Sequence, residues 1–244
     1  MSYLRPFLKA SSRAILKLFL ETYETWGGNM KKMTRGIIAL ILLSWSAQVQ
    51  AVGDFQLWTE LKLAHPFGKS PWTLHWATEN RFGEDASKYI TFNTTLGFDY
   101  KAFKWLKGGL FYRYEKNRGK AGENRIFPQA DLTTMFGHVE LSTRQRFEIR
   151  LFPDDTRFRY RTRFKVGVPV AASPLSYKPY VSEELFVEPG HGGLNQTRFI
   201  VGNTFGFRKD KITFDLYYLL RRDENNPNPW TNRHVLGTSL AFKI

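Results

Sequence analysis

The sequence contains no cysteine, which excludes a disulfide framework and suits a chain that crosses an oxidising periplasm without needing one. Helical periodicity is missing past residue 51, so bundles and α/β domains are set aside and an all-β chain remains. Long apolar runs are missing too: Gly36 to Trp45 is too short to span a bilayer as a helix, which takes about 20 residues. No Gly-rich phosphate loop, nucleotide motif or metal-ligand spacing occurs, and no cofactor is expected. Acidic residues are scarce, 22 against 36 Lys and Arg for a net charge of +14.

What is present is alternation. Thr156 to Val166 reads TRFRYRTRFKV, with Arg157, Arg159, Arg161, Arg163 and Lys165 separated by Phe158, Tyr160, Thr162, Phe164 and Val166. Successive strand residues point to opposite faces, so a strand here has one basic and one apolar side, whereas a helix would smear both around its circumference. Two environments fit such a strand. In a secreted β-sandwich binding acidic glycans, the apolar face lies in the core. In a membrane barrel it meets lipid, and the basic face lines the lumen.

The amino-terminal region favours the barrel. Met30 to Arg35 is a short basic segment, Gly36 to Trp45 an apolar one, and Ser46 to Ala51 ends in small residues, the layout of a secretory signal cleaved after Ala51. Residues 1–29 precede that signal and are read as an upstream extension from an over-extended start, leaving 30–51 as signal peptide and 52–244 as the barrel. Without residues 1–51 the chain holds 29 basic and 20 acidic residues. An exported chain whose basic residues sit in strands is not expected to bind nucleic acid.

Eleven alternating stretches follow: Asp54 to Ala64, Trp72 to Phe82, Tyr89 to Tyr100, Leu106 to Glu115, Arg125 to Met135, Val139 to Arg150, Thr156 to Val166, Tyr177 to Val187, Thr197 to Phe207, Ile212 to Arg221 and His234 to Ile244. Each has about the length of a tilted membrane strand. Single-chain bacterial barrels have even strand numbers, so the expectation is a transmembrane antiparallel up-and-down barrel of ten or twelve strands. Longer polar connections (Gly83 to Lys88, Lys116 to Asn124, Glu188 to Asn195, Arg222 to Asn232) alternate with shorter ones (Lys101 to Lys104, Phe136 to His138, Arg208 to Lys211), the pattern of extracellular loops and periplasmic turns. Counted back from a periplasmic carboxyl terminus, this phase leaves the first strand running the wrong way.

The closing HVLGTSLAFKI alternates Leu236, Thr238, Leu240, Phe242 and Ile244 outward. It resembles the terminal signal read by the barrel-assembly machinery, although such signals commonly end in an aromatic residue. The segments DFQLWTELKL, ENRF, LGFDYKAFKWLKGGLFYRYEKN, a later ENR, RQRFEIR with RFRYRTR, KPYVSEELF, NQTRF and HVLGTSLAF together resemble a family of short bacterial outer-membrane barrels classed as a domain of unknown function. The resemblance covers roughly residues 54 to 244. It implies a barrel in the outer membrane, in contact with its lipid, and brings no substrate.

With the apolar face on lipid, Arg144, Arg146, Arg150, Arg157, Arg159, Arg161, Arg163 and Lys165 point into the lumen. The opposite orientation costs about 2 to 4 kcal/mol per cation at mid-bilayer. Glu79, Asp99, Glu115, Glu140, Glu148, Glu184 and Asp215 fall on the same inward faces as partners. Two readings of this interior stand: a structural barrel plugged by internal salt bridges, or a narrow anion-preferring pore passing a small anionic solute. A monomer is expected.

An outer-membrane lipid hydrolase is the enzymatic alternative, but none of His65, His75, His138, His191 and His234 stands in a His-x-Ser arrangement. His65 and His138 read as turn residues and His191 as a loop residue. His75 and Glu79 share a face, but four strand residues separate them by about 13 Å, too far to work as a pair. Catalysis is not expected. Interior glycines are read as curvature devices, and Tyr112, Tyr114, Tyr217, Tyr218, Trp72, Trp76 and Trp105 as interfacial anchors.

Overall fold

Each alternating stretch forms a strand in the computed structural model, which describes residues 53–172, 175–190, 193–225 and 228–244. The signal, its upstream extension and His191 lie outside the described residues. The strands are β1 (Asp54–Pro66), β2 (Trp72–Gly83), β3 (Lys88–Lys101), β4 (Leu106–Asn117), β5 (Gly122–Phe136), β6 (Val139–Leu151), β7 (Thr156–Gly167), β8 (Val170–Ala172), β9 (Leu175–Glu188), β10 (Gly193–Phe207), β11 (Ile212–Asn225) and β12 (Asn228–Lys243). Neighbours in sequence pair antiparallel, except that β7 pairs β9 directly and the three-residue β8 hangs on the start of β9. β12 then pairs β1 and closes the ring.

The sheet thus has twelve strands, one of the two counts expected from the sequence, with β8 the unrecognised one; the closed ring itself has eleven, and the even number is corrected for the ring alone. An odd ring of up-and-down strands must contain one parallel contact, and it lies between β1 and β12, running from Asp54 opposite Arg233 to Ala64 opposite Lys243. The first strand that ran the wrong way on paper does run that way. The loop asymmetry is corrected as well. The strands continue through the polar stretches read as long loops, leaving four-residue turns at 84–87, 118–121 and 152–155 at one end, called here the capped end. Turns at 67–71, 102–105, 137–138 and 208–211, with Ile244, mark the other, open end.

Register sets the tilt. A path along paired residues leaves β1 at Pro66 and passes Thr73, Asp99, Gly109, Gln129, Arg146, Arg161, Phe186, Gln196 and Asp223. It reaches β12 at Thr231, two residues before the partner of Asp54. One circuit thus climbs by more than the length of β1, which corresponds to strands tilted by about 40°. Inward side chains consequently meet along diagonals as well as straight across.

The faces segregate as the alternation requires. Leu96, Phe98, Leu110, Phe147, Phe158, Phe164, Leu236 and Leu240 are exposed outside, while Trp58, Phe127, Phe186, Leu219 and Val235 are buried within. Tyr217, read as an interfacial anchor, instead lies inside against the buried Trp58, Leu219 and Val235 cluster. Its ring occupies the space a Cβ on Gly237 would need, so that glycine serves close packing in the interior. Gly97 likewise leaves room for the ring of Phe111.

Two turns carry backbone strain: Glu84, Asp85 and Ala86 have φ of 51°, 57° and 61°, and Arg208, Lys209 and Asp210 have 52°, 58° and 60°. Left-handed geometry costs a residue with a Cβ about 1 kcal/mol. Replacing Ala86 by Gly is therefore expected to stabilise the barrel by up to about 1 kcal/mol, read as a higher urea midpoint in liposomes.

Candidate functional site

The interior divides into two halves. Towards the capped end, β4, β5, β6, β7, β9 and β10 bring their inward acids and arginines together. Glu148, 0% exposed, accepts hydrogen bonds from Arg159 (Nε 2.7 Å, Nη2 2.5 Å) and from Arg161 Nη1 at 2.8 Å. Arg125 and Arg146 each place an Nη1 3.6 Å from the same carboxylate. Glu123 receives Arg125 and Arg150, each at 2.7 Å, and Glu188 receives Arg150 at 2.8 Å. Glu184 receives Arg161 at 2.9 Å with Arg198 3.7 Å away, and Arg125 stands 3.7 Å from Glu115. Buried ions persist only when paired and hydrogen-bonded, and here Glu148, Glu123 and Glu184 are each shared by two or more guanidinium groups.

Three buried rings stiffen this layer. Trp58 carries Arg81 at 4.0 Å and Arg198 at 5.2 Å; Phe127 carries Arg146 at 4.2 Å; Phe186 carries Arg161 at 4.5 Å and Arg198 at 4.6 Å. Guanidinium stacking on a ring adds attraction, most where water is excluded. Ion pairs and stacks together make a plug across the barrel.

Below the plug is a cup of about 660 Å³. Trp58, Arg81, Phe127, Arg161 and Arg198 form its floor, and Lys104, Trp105 and Phe242 lie near its mouth at the open end. Eleven Lys and Arg line it against seven Asp and Glu, so its charge is positive. Among these, Arg144 is neutralised by the lining acid Asp131 at 2.6 Å and Lys62 by Glu60 at 2.7 Å, while the lining Glu140 is taken by Lys178 at 2.9 Å. Neither Arg163 nor Lys165 makes an ion pair among the described residues. Lys165 Nζ instead sits 3.4 Å from the ring centre of Tyr180, whose hydroxyl donates to Asp215 at 2.9 Å. Two free cations one face-repeat apart on β7, about 7 Å, suit an anionic group held between them.

Of the residues singled out from sequence, Arg144, Arg146, Arg161, Arg163, Lys165, Glu79, Asp99, Glu140, Glu184 and Asp215 line the cup. Arg150, Arg159, Glu115 and Glu148 belong to the plug. Arg157 differs: it stands at the capped rim, its side chain 41% exposed and bonded to Asp155 at 2.5 Å, because it is the second residue of β7 and lies beyond the plug. Sequence reading missed Glu123, Glu188 and Asp223, which fall where strands were ended early. Asp223 accepts from Arg221 at 2.9 Å and pairs with Arg233. Also missed were Arg81, Arg113, Arg125 and Arg198, although the alternation of their strands already placed them opposite apolar residues.

His75 has a partner other than Glu79. Its Nε2 hydrogen-bonds with Asp99 Oδ2 at 2.7 Å on the neighbouring strand, while Glu79 bonds Arg81 at 2.5 Å and Asn93 at 2.9 Å. His65 proves to be the penultimate residue of β1, its Nδ1 3.1 Å from the Ile244 carbonyl oxygen, and His138 is a turn residue as read. His234 faces outward and bonds the Tyr218 hydroxyl at 2.6 Å. Among the described residues no group of three metal-ligating side chains occurs.

Comparison with known proteins gives one family and a distant structural likeness. The family model described as "Protein of unknown function (DUF2490)" matches residues 55–233. Among solved structures, LpxR from Salmonella typhimurium is similar at 12% identity and a TM-score of 0.48, over 75% of this chain and 87% of that one. No curated protein matches.

Proposed function

The chain belongs to the DUF2490 family of proteins of unknown function, and from that premise we propose an outer-membrane barrel sealed against through-flow whose open end binds small anionic solutes. Membrane placement is supported by the outer wall. Outward tyrosines bond polar groups of adjacent strands: Tyr89 at the capped end bonds Asn80 at 3.0 Å, and Tyr112 and Tyr218, from mid-strand, reach towards that end to Asn124 at 2.6 Å and to His234. Near the open end Trp72 packs on Tyr100 at 4.9 Å and Phe103 stacks on Trp105 at 5.4 Å. Along β3, Tyr89 and Tyr100 are separated by about 36 Å of strand, or about 28 Å of depth at a tilt of about 40°, close to the 25 Å apolar band of outer-membrane barrels.

The observation that carries the sealed reading is the complete burial of Glu148 among Arg125, Arg146, Arg159 and Arg161. An anion-conducting filter needs solvated cations along its whole length, and here the cations of the capped half are paired with buried carboxylates. The cup retains Arg163 and Lys165 for a ligand.

Reconstituted from outer membranes into planar bilayers, the full chain is expected to insert silently. Steady anion-selective conductance would overturn the sealed reading and restore the pore. Inorganic pyrophosphate is the probe for the cup. It is expected to raise the unfolding midpoint of the intact barrel in a concentration-dependent way, and the R163Q/K165Q double variant is expected to lose at least nine-tenths of that shift. An equal shift in the double variant would remove the cup from the proposal.

A further inference from the structure

Glu183 is the inward-outward exception of β9. Its neighbours Glu184, Ser182 and Phe186 are buried inside, whereas Glu183 shares the outer face with Val181 and Leu185. It stands opposite Phe164 of β7 on one side and Phe199 of β10 on the other. Among the described residues no hydrogen bond and no ion pair within 4 Å reaches its carboxylate; the charge acting on it from the same outer face is Arg222 of β11, across β10. It lies eight residues above the lower end of β9, near the middle of the outer apolar belt.

The polar character extends over that sector. Gln145 on β6 faces outward, donating through Nε2 to Thr143 Oγ1 at 2.7 Å and accepting from the Tyr160 hydroxyl. Thr162 lies directly opposite Gln145 on β7. Asn203, on the outer face of β10, has an Oδ1 that is buried without a hydrogen-bond partner. By contrast, two paired rows across the outer face of β2 to β4, Trp76–Leu96–Tyr112 and Leu74–Phe98–Leu110, present no charged or amide side chain. An ionisable side chain facing hydrocarbon is costly, and such groups turn towards protein or water where they can.

We infer that the outer wall of β6, β7 and β9 is a self-association surface, covered by a second copy of this chain related by a two-fold axis that passes outside β7, normal to the bilayer. This rests on the membrane placement proposed above and not on the cup. Two copies inserted the same way in one bilayer can be related only by an axis normal to it, so each side chain meets groups at its own depth. Climbing the register from β6 to β9 offsets the positions along their strands, and at a tilt of about 40° Gln145 and Glu183 come out within about 2 Å in depth. They flank β7 on either side. A two-fold axis there sets Glu183 of each copy against Gln145 of the other, twice. The second N–H of the Gln145 amide and the Thr162 hydroxyl are the donors Glu183 lacks, and Phe164 and Val166 supply the flat apolar contact between them. The match is complementary within one surface, which an isologous contact requires.

The native chain has no cysteine, so single-cysteine variants report contacts without background. In membranes of cells expressing the full chain, Phe164→Cys, beside the axis, is expected to form a cross-linked dimer with a short bismaleimide. Leu96→Cys on the other wall is expected to give at least tenfold less. Adding Glu183→Leu to Phe164→Cys is expected to reduce the dimer at least tenfold while the chain keeps its heat-modifiable mobility, which shows that the barrel still folds. Equal cross-linking at both cysteines, or a heat-modifiable chain that stays monomeric at Phe164→Cys, would overturn the dimer and leave the membrane reading intact. Absence from the membrane fraction would overturn both.

Discussion

Glu148→Ala is expected to lower the stability of the barrel by about 3 to 5 kcal/mol, the range for removing one partner from a buried ionic group. Arg159 and Arg161 lose their direct acceptor, Arg125 and Arg146 lose a carboxylate at 3.6 Å, and water is the only available substitute. Urea titration of the liposome-inserted barrel, followed by its heat-modifiable band, reads the loss. Glu148→Gln keeps the shape and two acceptor lone pairs but drops the charge, so it is expected to fall between the two. Water drawn towards the unpaired guanidinium groups is also expected to bring brief anion-selective openings in planar bilayers. A variant as stable and as silent as the native chain would show that the plug does not depend on this carboxylate.

Trp58→Ala has the other large expected effect, about 3 to 5 kcal/mol, as for other large-to-small changes at buried aromatic positions. The indole is 2% exposed, joins Leu219 and Val235 in the apolar cluster, and carries Arg81 and Arg198 on its faces. Its loss removes packing on both sides of the β1 to β12 contact and leaves Arg198, whose Nε already lacks a partner, without support. Trp58→Phe should recover much of the stability, since a smaller ring still offers a face to the guanidinium. Equal losses in Trp58→Ala and Trp58→Phe would assign the effect to the indole nitrogen, which donates to Gln56 at 3.0 Å, rather than to stacking.

Alternation carried most of the fold, because a strand between two different solvents must separate its side chains and the separation is written in every second residue. All eleven stretches became ring strands. Their ends were less legible. Glu123, Glu188 and Asp223 sit where both faces turn polar, so they resemble loop residues until the neighbouring strands supply their arginines. The parity rule was given more weight than the count, although the reversed first strand already signalled a parallel contact. Which arginine meets which acid was out of reach, since strand tilt sends partners along diagonals: Arg159 and Arg161 share Glu148, while Arg198 reaches Trp58 from β10. Trp58 itself stood on the polar face of its strand in the sequence, and that misplacement was the available sign of a buried ring.

The parallel contact also bears on how the chain reaches its native state. Almost every other pairing joins sequence neighbours across a short turn and can form locally, but Asp54 must find Arg233 after the rest of the chain has been laid down. Contacts so distant along the chain are slow to form, because the loop they close is entropically expensive. Closure of β1 onto β12 is thus the event on which assembly waits. Until it happens, a curved ten-contact sheet has two bare edges, and Trp58 on one of them lacks Leu219 and Val235 from the other.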